Sequence, residues 1–371
     1  MTIMTIGVEA TKAFEEKKTG VGWYTFYITS ELIRLVRPED ELQVYINPAQ
    51  ISNFKFQISK QCNNVTMKPL SWWPRKFWTQ IRLSYEMLTQ PPDVLFIPAH
   101  LPPLCHPKKL VVTIHDLAFK QYPEVYSTKE LRLQKWGIKQ VLKKAWRIIV
   151  PSQFTKDEIV KYYPDLASDN IFVVPHGVDH DKFKTKNLKL KTKENTILYI
   201  GRLEHKKNLI PLVKAFNLIN NLKLEIKNLK LILVGSPGFG YADIKREIDA
   251  SPYKSNIHQL GWIDRDGLVD QLNQASLFVL PSLYEGFGLP LLEAMACGTA
   301  VACSDIPSLK EVGADVPLYF NANDPQDIAQ KIILLLTDEA LRRQKINQGL
   351  KRASEYTWQA TAQKTWQVLT T

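Results

Sequence analysis

Short apolar runs rich in β-branched residues alternate with helix-like patterns along the chain, and this alternation restricts the fold more than any other feature of the sequence. An unbroken apolar run too short for a helix suits a strand buried on both faces, and such strands belong to parallel sheets covered by helices. Parallel neighbours need a crossover connection, which a helix supplies, so the repeating unit is βαβ. In the first half the pattern predicts strands at 3–8, 42–46, 94–97, 110–114, 147–150 and 171–174. Helices are expected between them, at 22–36, 129–144 and 153–162, the last with Ser152 as its N-cap.

The alternation stops at 180–195, HDKFKTKNLKLKTKEN, a lysine-rich stretch without an apolar period that reads as an exposed linker. It resumes with strands at 196–200, 229–234, 257–260, 277–280 and 300–302 and helices at 208–219, 266–274, 289–296, 326–336 and 339–355. A final amphipathic stretch, 357–369, sets Trp358, Ala362, Trp366 and Leu369 on one side. The expected architecture is α/β, with two Rossmann-like domains at 1–180 and 181–355 and a cleft between them at the carboxyl ends of both sheets. Residues 356–371 form a C-terminal helix expected to return to the first domain. A length of 371 residues suits two domains.

Hydrophobic residues make up 45% of the chain and charged residues 23%, enough for two cores. No apolar run reaches the roughly 18 residues of a membrane-spanning helix. The N-terminus lacks the basic start, apolar middle and small-residue cleavage site of a secretory signal, so the expected location is the cytoplasm. Cys62, Cys105, Cys297 and Cys303 show no C-x-x-C spacing, and Cys297 and Cys303 read as small core residues. The net charge of +11 asks for an anionic partner. Both halves share the surplus, which argues against a nucleic-acid arm.

Locally the charge is uneven. No acidic residue lies between Glu41 and Glu86, where Lys55, Lys60, Lys68, Arg75, Lys76 and Arg82 accompany Trp72, Trp73, Phe77 and Trp78. A second set, Lys129, Arg132, Lys135, Lys139, Lys143, Lys144 and Arg147, is faced by Glu130 alone. Two readings stay open for both sets. One is peripheral attraction to the headgroups of the cytoplasmic membrane face, and the other is a solvated helix face with core aromatics.

The residues with most to say about chemistry are 281–298, PSLYEGFGLPLLEAMACG. A strand ends at Leu280 and a helix starts near Leu289, with Pro290 in the first turn, where a missing N–H costs nothing. Gly286 and Gly288 flank Phe287 just before that helix. Such a loop offers backbone N–H groups at the positive end of a helix dipole, which suits a diphosphate. Glu285 precedes the helix and Glu293 lies in its second turn, so the two carboxylates can address different parts of one ligand. The alternative is a simple strand-to-helix turn with two solvated glutamates.

Glu285 and Glu293, eight positions apart in EGFGLPLLE, resemble the paired-glutamate motif of glycosyltransferase family 4, the group 1 glycosyl transferases. Further family-like pieces follow in order: TGVGWYTF (19–26), VVTIHDLAF (111–119), VVPHGVD (173–179), YIGRLEHKKNL (199–209), then LILVGSPGFG and LGWID. The resemblance spans nearly the whole chain. It implies the GT-B fold and a retaining hexosyl transfer from a nucleotide diphosphate sugar, with no cofactor and no catalytic metal. The donor is a GDP- or UDP-sugar, with GDP-mannose favoured by the IHDLAF segment. The acceptor is a saccharide or lipid-linked saccharide hydroxyl, as in polysaccharide biosynthesis.

The resemblance also implies roles. Arg202 and Lys207 reach the donor diphosphate, with Lys206 as the alternate for Lys207. Glu293 accepts hydrogen bonds from the ribose, and Glu285 lies near the transferred sugar. Gly286, Phe287, Gly288 and Leu289 supply backbone contacts, and the base stacks near 261–263. Gly20 and Gly22 let the first loop approach the diphosphate, although Trp23 stands where the family often has a polar residue. His115 hydrogen-bonds the donor sugar and Asp116 orients the acceptor hydroxyl; a structural role for the histidine is the alternative. His100, His106 and His180 are less distinctive, and His176 in PHGVD reads as part of a structural turn. Asp179-His180-Asp181 and Asp264-Arg265-Asp266 have a metal-binding form, but one lies at the domain crossing and the other at a helix cap. A nucleotide-sugar 2-epimerase of the same fold and a non-catalytic nucleotide-sugar-binding protein are the competing functions.

Overall fold

A computed structural model describes residues 4–50, 64–73, 77–99, 101–185, 195–222, 226 and 228–371. Cys62, Lys55, Lys60, Arg75, Lys76, His100 and residues 186–194 of the expected linker lie outside the described residues. The chain divides into two units. The first comprises Met1–Leu117, Thr128–Gly177 and Trp358–Thr371, and the second Ala118–Ser127 and Val178–Thr357. Ala118–Ser127, inside the expected first domain, thus groups with the second unit, where Tyr122 meets the ring of Tyr284 edge-on at 6.4 Å.

The first unit holds β1 (Met4–Glu9), β2 (Asp40–Ile46), β3 (Val65–Pro69), β4 (Val94–Ile97), β5 (Lys109–Thr113), β6 (Arg147–Val150) and β7 (Ile171–Val173). They form one parallel sheet in the order β3-β2-β1-β4-β5-β6-β7. Every residue of β4 is buried, as its continuous apolar sequence requires of a strand covered on both faces. Ser152 caps the helix Gln153–Tyr162, its hydroxyl accepting the Thr155 N–H at 3.1 Å. The helix Trp358–Thr370 packs on the helix Gly20–Leu35, with Trp358 stacked on Tyr27 at 5.0 Å between ring centroids. Arg147 donates to the Val368 carbonyl at 2.7 Å, satisfying a last-turn acceptor that has no partner within the helix.

In the second unit β8 (Thr196–Ile200), β9 (Lys230–Val234), β10 (Ile257–Gly261), β11 (Leu277–Leu280), β12 (Ala300–Ser304) and β13 (Leu318–Phe320) form a parallel sheet. The order is β10-β9-β8-β11-β12-β13. Its core includes Leu198, Leu231, Phe278 and Val279 from the strands and Leu212, Phe216, Leu292 and Ile332 from the covering helices. Both sheets are doubly wound. The strand order reverses between β1 and β4 in one and between β8 and β11 in the other, and at such a point loops leave the carboxyl ends in opposite directions and open a crevice.

Several elements go beyond the sequence reading. β3 is an edge strand with a mixed burial pattern, and β13 is only three residues long. The helix Tyr241–Ala250 buries only Ile244 and Ile248, too sparse an apolar stripe to stand out.

Candidate active site

In the second unit the loops that follow β8 and β11 flank the switch point, and they are stitched together. The Leu283 N–H donates to the Lys206 carbonyl at 3.0 Å. After β8 the chain runs through Gly201 and Arg202 into a short helical turn, His205–Lys207, and reverses at Asn208 with a left-handed φ of 56°. The Asn208 amide donates to the Ala322 carbonyl at 2.7 Å, fixing that reversal before the helix Leu209–Asn221 begins. This local geometry points Lys207 at the neighbouring loop. Its Nζ lies 2.6 Å from Glu285 Oε1, and the Ser282 hydroxyl donates to the same oxygen at 2.7 Å. The two charged side chains are 16% and 13% exposed. The Ser308 hydroxyl donates to the Glu285 carbonyl at 2.6 Å, so the backbone of this glutamate is held as well.

Next in the chain, Gly286, Phe287 and Gly288 are buried, and the Phe287 ring meets that of Tyr356 edge-on at 5.9 Å. Gly288 is the N-cap of the helix Leu289–Ala296, and Pro290 sits in its first turn. With φ at +100°, and with an added Cβ falling 2.5 Å from Leu309 Cδ2, the position admits only glycine without strain. The consequence is a tight, small-residue approach to a helix N-terminus, where unpaired N–H groups attract anions.

Arg202 is half-exposed, with Nη1 at 3.4 Å from Glu204, and its carbonyl accepts the Tyr199 hydroxyl at 2.9 Å. The Tyr199 hydroxyl is pushed well above its ordinary pKa by burial, with Glu285 and Glu204 adding to the effect. Glu293 faces elsewhere. Its carboxylate pairs with Arg265 at 2.6 Å in a buried contact, and the Arg265 guanidinium lies over the Phe183 ring at 4.3 Å. Burial pushes the Glu293 carboxyl up, Arg265 opposes that shift, and the charge of Asp179 adds to it.

In the first unit, Gly20 opens the helix Gly20–Leu35 and Gly22 lies inside its first turn, so the predicted glycine loop is already helical there. Trp23 lies under the Lys18 ammonium at 5.0 Å from its ring centroid. His115, two residues past β5, has Nε2 at 2.8 Å from the Pro98 carbonyl beyond β4. Its ring meets Tyr24 edge-on at 4.8 Å and is 5.5 Å from His176. Asp116 beside it is half-buried. His176 is buried among Tyr24, His115 and Trp358, and burial followed by His115 holds its pKa well below the ordinary value.

Of the residues singled out in the sequence, the fold brings Lys207 and Glu285 into contact, with Gly286, Phe287, Gly288 and Leu289 following directly. Arg202 shares the Lys207 loop but pairs with Glu204, while Lys206 lies over the Tyr126 ring at 5.8 Å. Gly20, Gly22, His115 and Asp116 belong to the other unit. Asp179 and Asp264 serve local turns, accepting the Lys182 N–H at 3.1 Å and the Gly267 N–H at 2.9 Å. Sequence reasoning passed over Ser282 and Ser308, and met Arg265 only as the middle of the Asp264-Arg265-Asp266 triplet. Only Ser282 left a signal, the S-x-x-E spacing to Glu285 that places a hydroxyl within reach of a carboxylate across one turn.

Two family models match the chain: Glycosyltransferase Family 4 over residues 20–182, and Glycosyl transferases group 1 over residues 180–352. O-antigen chain mannosyltransferase B of Escherichia coli is 30% identical over 261 residues, covering 68% of each chain. The serotype-specific mannosyltransferase WbdA of Escherichia coli is 30% identical over 280 residues, 69% of this chain and 32% of that longer one. Among solved structures, HepE of Anabaena in complex with UDP-glucose superposes with a TM-score of 0.71 at 17% identity, covering 99% of each chain. With its two doubly wound sheets and the loop from Glu285 to Glu293, the chain belongs to the group 1 glycosyltransferases of family 4 and is a glycosyltransferase of the GT-B fold.

Proposed function

We propose that this glycosyltransferase moves a hexose, mannose foremost, from a GDP- or UDP-sugar to a saccharide or lipid-linked saccharide hydroxyl, with retention and without a catalytic metal. The observation that carries the reading is the Lys207–Glu285 contact at the mouth of the glycine loop. A diphosphate bound at the N-terminus of Leu289–Ala296 competes with Glu285 for the Lys207 ammonium, and its higher charge favours the exchange. Glu285, relieved of that partner, is then able to face the sugar. When the bond from the anomeric carbon to the diphosphate oxygen breaks, its electron pair stays on the phosphate. Lys207 and Arg202 offset that charge, the task a divalent cation performs in other transferases. The acceptor oxygen bonds the anomeric carbon on the face the phosphate leaves, and its proton passes to the leaving phosphate oxygen.

Relatives that are mannosyltransferases of O-antigen chains support the choice of mannose and of a saccharide acceptor. The solved complex of HepE with UDP-glucose supports a nucleotide sugar in this fold. We assign acceptor binding to the first unit, with His115 and Asp116 beyond β5. The test is nucleoside diphosphate release from a panel of GDP-, UDP- and ADP-sugars, with and without EDTA. Release from one donor, insensitive to EDTA and lost in Glu285→Ala, is expected. Release abolished by EDTA overturns metal independence, and a product of inverted anomeric configuration by NMR overturns retention.

A further inference from the structure

Two helices of the first unit carry apolar side chains on the wrong side. In Ser84–Thr89 and the helical turn Thr79–Leu83 before it, Leu83 and Met87 are buried, as a core-facing stripe should be. Yet Ile81, Tyr85 and Leu88, spaced i, i+4, i+7, form a second stripe that faces water, with Tyr85 60% and Leu88 68% exposed. The one acidic residue of the segment, Glu86, turns inward, where Arg82 at 3.0 Å and Lys68 at 3.7 Å neutralise it.

The helix Thr128–Lys144 repeats the arrangement with charge added. Gly137, Ile138 and Val141 face the core. Lys129, Arg132, Leu133, Trp136, Lys139 and Lys143 are all exposed and fall within about a third of the helix circumference at 100° per residue. Glu130 lies off that arc. Leu104, 51% exposed, joins the two helices: its N–H donates to the Ser84 hydroxyl at 2.8 Å and its carbonyl accepts Lys144 Nζ at 3.0 Å. The two helices together present Ile, Tyr, Leu and Trp side chains with cations beside them, and the acid of the first helix, Glu86, is turned inward.

We propose that this surface docks the first unit on the headgroups of an anionic phospholipid bilayer. A surface of this kind gains from both terms of interfacial binding: aromatic and aliphatic side chains enter the headgroup boundary, while lysine and arginine stems reach the phosphates. A second copy of the chain would bring like charge against like. No described helix is long and apolar enough to cross a membrane, so the attachment is peripheral.

The test is co-sedimentation of the full chain with vesicles of phosphatidylcholine mixed with phosphatidylglycerol, against vesicles of phosphatidylcholine alone, at low and high salt. Binding to the anionic vesicles only, weakened by salt, is expected. Each basic side chain near such a surface is worth about fivefold in partition coefficient. The triple variant Lys129→Ala, Arg132→Ala, Lys139→Ala should therefore lose at least tenfold, as should Ile81→Ser, Tyr85→Ser, Leu88→Ser. All the changed side chains are solvent-facing or at the surface, and an unaltered near-UV circular dichroism spectrum certifies each fold. Failure of the wild-type chain to bind anionic vesicles overturns the proposal, as does binding by both triple variants at the wild-type level. A dimer in sedimentation velocity that the apolar triple variant converts to monomer also overturns it, by showing that another copy covers the face.

Discussion

At the scale of single residues, the Lys207–Glu285 pair separates a structural role from a catalytic one. The contact is largely buried, so removing either partner alone leaves the other's charge uncompensated. Under the proposed function its weight falls on the leaving group. Lys207→Ala is expected to lower kcat/KM by about 10²–10³-fold, the loss typical of one preorganised charge-stabilising group, and to lower the urea midpoint as well, whereas adding Glu285→Gln restores the midpoint but not the activity. Activity recovered together with the midpoint in the double variant would show the pair to be structural. His176 makes a different prediction. Its folded-state pKa is held below 6.5 by burial and by His115, so above that pH both states are neutral and stability is full. As pH falls through 6.5 the unfolded chain takes a proton that the folded chain refuses. Stability then drops by up to about 1.4 kcal/mol per pH unit until the folded-state pKa is reached. Urea titrations between about pH 7.5 and 5.5 should show that slope in the wild type and its loss in His176→Gln; parallel curves would refute it. In the sequence Glu285 stands out by its place before the helix, and Lys207 only through the family resemblance. The sequence could not show that Glu293 spends its charge on Arg265, because that partner lies 28 positions away and only the packing of two helices brings them together.

At the scale of elements, the buried strands were the legible part. β4 and β11 are continuous apolar runs and β8 is one after its buried Thr196, and the pattern gives all three to the residue because burial on both faces selects apolar side chains. Edge strands and short helices are under no such demand, which is why β3, β13 and Pro307–Gly313 left no comparable mark. The turn into Leu289–Ala296 is the element on which the site depends most. Gly288→Ala places a methyl group against Leu309 in a left-handed backbone, and should cost about 1–3 kcal/mol by thermal or chemical melting. Donor affinity should fall with it. Wild-type stability in this variant would mean that the loop has another conformation available.

At the scale of the whole molecule, each unit has its own parallel sheet, and the glycine loop belongs to the second alone. Saturating nucleoside diphosphate, at about a hundredfold its dissociation constant, should stabilise that unit by about 2.7 kcal/mol. Amide exchange should slow in β8, β11 and Leu289–Ala296. Slowing confined to strands of the first unit would place the ligand elsewhere.

The segment Trp358–Thr371 completes the first unit although it follows the whole of the second in the chain. On the ribosome, the sheet of β1–β7 therefore emerges long before the helix that stacks Trp358 on Tyr27 has been made. At ordinary elongation rates that interval is roughly 10–40 s. During it Tyr24, Tyr27 and His176 lack their cover, and the nascent first unit is open to chaperones and proteases.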